Sequence, residues 1–333
     1  MIFQPAILAL LLSSLLCIGL LLAAAPYAID LIRHWDLASG SERQLLRERR
    51  TYLLSTLLAF VFATQLVALA LFVFNADRMA SLFVGAMCAV GTLQANAFGF
   101  PALLAQILVF FLAAVWLVIN HVDTQAPDYP LLRIKYVLLL CLLPFLLAAG
   151  VLQWRFFLAL RADVITSCCG SLFSDATPGV TAELAAAPPL PTLLAFYLSL
   201  ALATGCALLH RRGPRAGHLV ALLSAVAFAV TMAAVLAFIS LYVYEHPHHH
   251  CPFCILKPDY SYQGYALYVP LFVGTAAGLG VGAVQAFARV PSLQSIIPGV
   301  AGRLAGLAAA MFIAVAVVAL LIIINSRLLL IDN

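Results

Sequence analysis

The sequence predicts an all-α polytopic membrane protein: a helical bundle of about eight transmembrane helices with both termini outside. Three observations carry this. First, 65% of the 333 residues are Ala, Val, Ile, Leu, Met, Phe, Trp, Tyr or Cys, and only 9% are Asp, Glu, Lys or Arg, against about 25% charged in an ordinary soluble domain. The mean hydropathy of +1.09 agrees. Second, eight stretches have the roughly 20 apolar residues needed to cross a hydrocarbon layer about 30 Å thick. Third, the basic residues gather on alternate loops. Too few charges remain to cover a soluble globule, so the composition excludes a soluble domain, a disordered chain and a nucleic-acid binder.

The expected spans are 6–30, 53–74, 101–120, 136–155, 192–209, 219–243, 265–288 and 305–326. Segment 79–98 is apolar but interrupted by Gly85, Gly91, Asn96 and Gly99, and reads as a short interfacial or re-entrant piece. As a ninth span it would invert everything after it. Loops 31–52, 121–135, 210–218 and 289–304 hold twelve of the seventeen Lys and Arg residues. With eight spans these loops share one side, which the positive-inside rule makes cytoplasmic. The opposite side holds Arg78, Arg155, Arg161, Lys257 and Arg327.

Residues 1–25 end in Ala23-Ala24-Ala25 and look a little like a signal peptide. No basic residue precedes the apolar run, and the positive charges follow it, so it is read as a span entering from outside. With no internal repeat and only short loops, 1–333 reads as a single integral membrane domain in a cell membrane, the bacterial inner membrane by its character. One compositional shift, 170–191, is rich in Gly, Ser, Thr, Ala and Pro and reads as a surface loop.

Candidate chemistry lies in the extracytoplasmic loops 75–100, 156–191 and 244–264. They hold Cys88, the doublet Cys168-Cys169, and the run Glu245-His246-Pro247-His248-His249-His250-Cys251-Pro252-Phe253-Cys254. Cys17, Cys141 and Cys206 fall inside spans, where small thiols are ordinary packing residues. Cysteines at i and i+3 put both sulfurs on one side of a helical turn, and Pro252 suits the first turn of a helix. Cys251 at a helix N-terminus beside imidazoles would have a lowered pKa and act as nucleophile or metal ligand. The blander reading is a loop-stapling disulfide beside a solvated histidine run. The tetrapeptide Cys251-Pro252-Phe253-Cys254 is similar to the active-site dithiol of glutaredoxin-like proteins, over those four residues alone.

Adjacent Cys168 and Cys169 can close a vicinal ring, pair with two partners or share a metal. Cys88 makes the outside count odd, which points to a reactive thiol, an intermolecular bond or a metal ligand. Met79 and Met87 lie nearby, and soft sulfur ligands select Cu(I), although methionine in such a chain is mostly packing. His34, His121, His210 and His218 sit at span ends as polar anchors. Tyr260, Tyr262, Tyr265 and Tyr268 belong to the membrane–water boundary and place Cys251 and Cys254 near the membrane surface. There is no C-x-x-C-H and no Walker motif, and intramembrane acids and bases are nearly absent, which disfavours an ATPase or an ion-coupled pump.

Three functions follow. In the first, Cys251 and Cys254 exchange with Cys168 and Cys169 through mixed disulfides. Two extracytoplasmic cysteine pairs on a helical scaffold resemble in layout the bacterial quinone-linked disulfide-forming oxidoreductases, which have half as many spans; the resemblance implies a quinone or another lipid-soluble oxidant. In the second, His246, His248, His249, His250, Cys251, Cys254 and Cys88 hold copper or zinc for an extracytoplasmic metalloprotein. In the third, the chain is a structural subunit of a larger membrane complex, its cysteines stapling loops. The partners implied are the lipid bilayer and an extracytoplasmic redox protein, metalloprotein or other membrane subunit, with no nucleic acid.

Overall fold

The computed structural model describes residues 4–36, 39, 41–161, 164–166, 180–213 and 216–328. Eight helices are long and apolar enough to cross a membrane, and no strand occurs among the described residues. The all-α polytopic bundle expected from composition is therefore the observed class. Most helices run beyond the purely apolar stretches into polar ends: the second begins at Glu42 rather than 53 and the last at Ile297 rather than 305, whereas Gln263–Gln285 stops short of the expected 288. Large apolar side chains such as Leu16 (66% exposed), Phe60 (70%) and Ile324 (67%) point away from the protein interior, as lipid-facing residues do. The chain divides into two compact units.

The first unit comprises Met1–Asn75, Leu93–Arg161 and Ala286–Pro298. It contains α1 (Pro5–His34), most of α2 (Glu42–Met79), α4 (Gly99–Asp123) and α5 (Leu132–Leu158). α1 starts with Pro5 in its first turn, where a missing N–H costs nothing. Its buried residues, from Ile7 and Leu10 through Cys17, Leu21, Ala24 and Ala28 to Leu31, recur every three or four positions, the period of one helix face. Amides bind the helices together where apolar packing gives no specificity. Gln106 Nε2 donates to Gln153 Oε1 at 2.6 Å, and Gln153 Nε2 to the Leu10 carbonyl at 3.3 Å. Trp154 Nε1 donates to Ser14 Oγ at 3.1 Å.

The loop expected at 121–135 is shorter than that: α4 extends to Asp123, α5 begins at Leu132, and the side chains of Asp123 and Lys135 are both fully buried. They pair at 2.7 Å. Asp123 Oδ1 also accepts the Leu131 N–H at 2.7 Å, and Lys135 Nζ donates to Asn120 Oδ1 at 3.2 Å. Burial of either charge alone would be prohibitive, so each makes the other possible.

The second unit comprises Ala76–Thr92, Ala162–Gln285 and Gly299–Asn333. α7 (Pro189–Arg212) packs on α8 (Gly217–Ala234), and α8 on α10 (Gln263–Gln285). A Cβ at Gly278 would stand 2.0 Å from Ser224 Oγ, and one at Gly282 2.4 Å from the Ala221 Cβ. These glycines let α8 and α10 approach backbone to backbone, the usual device of membrane helix pairs. α11 (Ile297–Asn325) adds Phe312, Val315 and Ala319 to the same core. α8 continues through a π-helical turn, Val235–Ile239, into α9 (Ser240–Tyr244).

Segment 79–98 is not a span. After α2 it forms a 3-10 turn, Ala80–Leu82, a bend, and the six-residue α3 (Ala89–Gln94), about 9 Å long. Val180–Ala185 forms the short α6 within the expected 170–191 loop, of which 170–179 lie outside the described residues.

Candidate metal centre

The second unit brings together three sulfurs from distant parts of the sequence. Cys88, Cys251 and Cys254 place their Sγ atoms within 4.8 Å of one another. Cys88 Sγ and Cys251 Sγ are in contact at 3.4 Å. That is well beyond the ~2.05 Å of a covalent S–S bond, and no disulfide joins one of the three to another. Cys88 and Cys251 are 0% exposed and Cys254 4%. Around a zinc ion with Zn–S near 2.3 Å, tetrahedral geometry puts sulfurs about 3.8 Å apart, and a trigonal arrangement about 4.0 Å. The three thiols are therefore spaced for one ion with shifts of about an ångström or less.

Local sequence explains each position. Cys88 sits between Gly85 and α3. Gly85 has φ +88, and the chain there lies so close to Thr166 that a Cβ would be 2.1 Å from the Thr166 carbonyl oxygen. The Thr166 N–H donates to the Val84 carbonyl at 3.0 Å. The Ala89 N–H, next to Cys88, donates to Asp77 Oδ1 at 3.2 Å. The same oxygen lies 3.9 Å from Lys257 Nζ, so one carboxylate ties the Cys88 segment to the segment that carries Cys254.

Cys251 and Cys254 do not open an α-helix. Residues 252 and 253 form a turn, followed by a single 3-10 turn, Cys254–Leu256. Lys257 is extended (φ −83, ψ 155) because Pro258 follows it and disfavours helical geometry. The helix that would have supplied a dipole to Cys251 is thus cut short. Tyrosines hold the strand of chain instead. The hydroxyl of Tyr268 donates to the Pro252 carbonyl at 2.6 Å, and that of Tyr244 to the Cys251 carbonyl. Tyr268, expected only as a boundary residue, is a support of the site.

The four histidines precede this cluster but none belongs to the three-sulfur group. His246 and His248 are exposed, with ring centroids 6.0 Å apart and the His248 N–H on His246 Nδ1 at 3.2 Å. His249 stacks on Tyr244 at 4.0 Å. His250 Nδ1 lies 2.7 Å from the Leu236 carbonyl, in the π turn where the helical ladder changes register. A carbonyl only accepts, so Nδ1 of His250 is the donor, and Nε2 is the ring atom left to bind a metal ion. α9 ends at Glu245 in left-handed conformation, with the His246 N–H returned to the Leu241 carbonyl at 3.3 Å. That geometry turns the histidine run off the helix axis.

Cys168 and Cys169 lie outside the described residues. Met79 is buried and Met87 is 69% exposed. Cys17, Cys141 and Cys206 are on α1, α5 and α7, as expected of span residues. Sequence reasoning missed Asp77 and the fastening role of Lys257. An acid at the end of an apolar span followed by Arg78 was the available signal, but nothing in spacing connects it to residue 257. Compared with protein-family models, curated proteins and solved structures, the chain matches none of them.

Proposed function

We propose that this multi-pass membrane protein binds a soft transition-metal ion, copper(I) or zinc, through Cys88, Cys251 and Cys254, and supplies it to an extracytoplasmic metalloprotein. The observation that carries this reading is the convergence of three buried sulfurs within 4.8 Å. Thiolates select Cu(I) and Zn(II) over harder ions. Three thiolates packed away from water would repel one another, so the buried thiols ionise only with a cation among them. Orientation of the loops to the outside rests on the distribution of Lys and Arg.

The test is metal analysis of protein purified in detergent and exposed to Cu(I) or Zn(II). One ion per chain is expected, with sulfur scatterers at about 2.3 Å by X-ray absorption for zinc. Cys88→Ser, Cys251→Ser and Cys254→Ser should each weaken retention. Wild-type protein that holds no metal after gel filtration would overturn the reading.

The Cys88–Cys251 contact at 3.4 Å favours a second reading, thiol–disulfide exchange. Here the two thiols lose two protons and two electrons to a quinone or to a partner's disulfide, and a disulfide joins them. Cys254 then attacks that bond at Cys251, forming Cys251–Cys254 and releasing Cys88 as a thiolate, and the new disulfide is reduced by Cys168 and Cys169, which become the disulfide pair. Mass spectrometry under non-reducing conditions distinguishes the two. A Cys88–Cys251 crosslink formed by a quinone analogue supports exchange. Bound metal with all three thiols protected from alkylation supports the metal centre. Neither result would leave a structural subunit of a membrane complex.

A further inference from the structure

We infer that His246 and His248 form an outer loading site that captures the ion and passes it inward, by way of His250, to the buried sulfurs; this rests on the metal-binding reading above. The sulfurs are buried, so a chelated ion or a donor protein cannot reach them directly. The run before Cys251 solves that problem by its own burial gradient. Residues 245–248 are exposed, His249 and His250 are half-buried, and Cys251 is fully buried.

Hydrogen bonds divide the four histidines into different roles. Two imidazoles bound to one ion at about 2.0–2.1 Å have ring centroids about 5 Å apart at a tetrahedral angle and about 6.3 Å apart on a linear ion. The His246 and His248 rings are 6.0 Å apart, inside that interval. The ion replaces an exposed 3.2 Å hydrogen bond at His246 Nδ1, which water makes cheap to lose. His249 is committed to its stack on Tyr244. His250, next to Cys251, is held through Nδ1 on the Leu236 carbonyl, leaving Nε2 as its ligating atom. Transfer is ligand exchange: metal–nitrogen bonds break as metal–sulfur bonds form. Each thiol that becomes a ligand releases its proton to water, and copper stays Cu(I) throughout.

The experiment follows transfer of Cu(I) from its coloured bicinchoninate complex to the full-length protein in detergent, under anaerobic conditions. The double variant His246→Gln/His248→Gln should load about tenfold more slowly, the scale on which losing groups beyond the final ligands is felt, and reach the same final copper per chain. Cys251→Ser should lose tight retention but keep weak binding that the added double histidine change abolishes. A double variant that loads at the wild-type rate overturns the inference, and so does one whose final copper content falls, because the histidines would then be ligands of the buried centre. Wild-type protein that takes no copper by either criterion fails the metal reading itself, a result separable from both.

Discussion

Replacing Gly85 by Ala tests how the Cys88 loop is held. Gly85 has φ +88, a region costing an L-residue about 1–2 kcal/mol. The new Cβ would also stand 2.1 Å from the Thr166 carbonyl oxygen, with only backbone to yield. Bringing that contact to ordinary distance moves the two segments apart by about an ångström and breaks the Thr166 N–H bond to the Val84 carbonyl. That bond contributes about 0.5–1.5 kcal/mol. The expected destabilisation is therefore about 1.5–3.5 kcal/mol. Cys88 is three residues away, so relief of the strain displaces its sulfur from the other two. If the whole penalty is charged to metal binding, Cu(I) affinity falls by about 10- to 400-fold. The assay is competition with a chelator of known affinity, beside unfolding in mixed micelles. Gly19→Ala is the control, since nothing lies within 4 Å of a Cβ there; in a helix interior it should be neutral or stabilising by about 0.5–1 kcal/mol. Wild-type stability and affinity in Gly85→Ala would refute the claim that this close approach positions Cys88.

In the buried ion pair, Asp123→Asn and Lys135→Met should each cost about 3–5 kcal/mol, because each strands a buried charge; the double variant should cost far less than their sum in the same SDS-titrated micelles. Tyr268→Phe leaves the Pro252 carbonyl without its 2.6 Å donor and should cost about 1–3 kcal/mol, with faster alkylation of Cys254 as the readout. An alkaline phosphatase reporter should be inactive when fused within 210–218 and active when fused within 244–264, as the charge bias requires; the reverse activities would invert the topology.

The membrane class and the eight spans were legible in the sequence because a bilayer imposes a one-dimensional requirement: about 20 apolar residues without interruption. The glycines and Asn96 in 79–98 marked a segment unable to cross, and it ends as a bend and a six-residue helix. The run from His246 to Cys254 announced itself by residue type alone. What spacing could not decide was which of those groups meet. Cys88 and Cys251 are 163 positions apart, and their contact depends on Gly85 against Thr166 and on Asp77 between Ala89 and Lys257. Nor could an i, i+3 rule see that Pro258 would end the helix after one turn, leaving Cys251 on a turn held by tyrosine hydroxyls. Asp123 and Lys135 teach the same lesson from the other side. A polar residue near a span end reads as solvated until a partner of opposite charge is placed beside it, and only the packing of α4 against α5 places it there. Hydrophobic length is a property of consecutive residues, whereas ligand sets and buried charges are properties of neighbours in space.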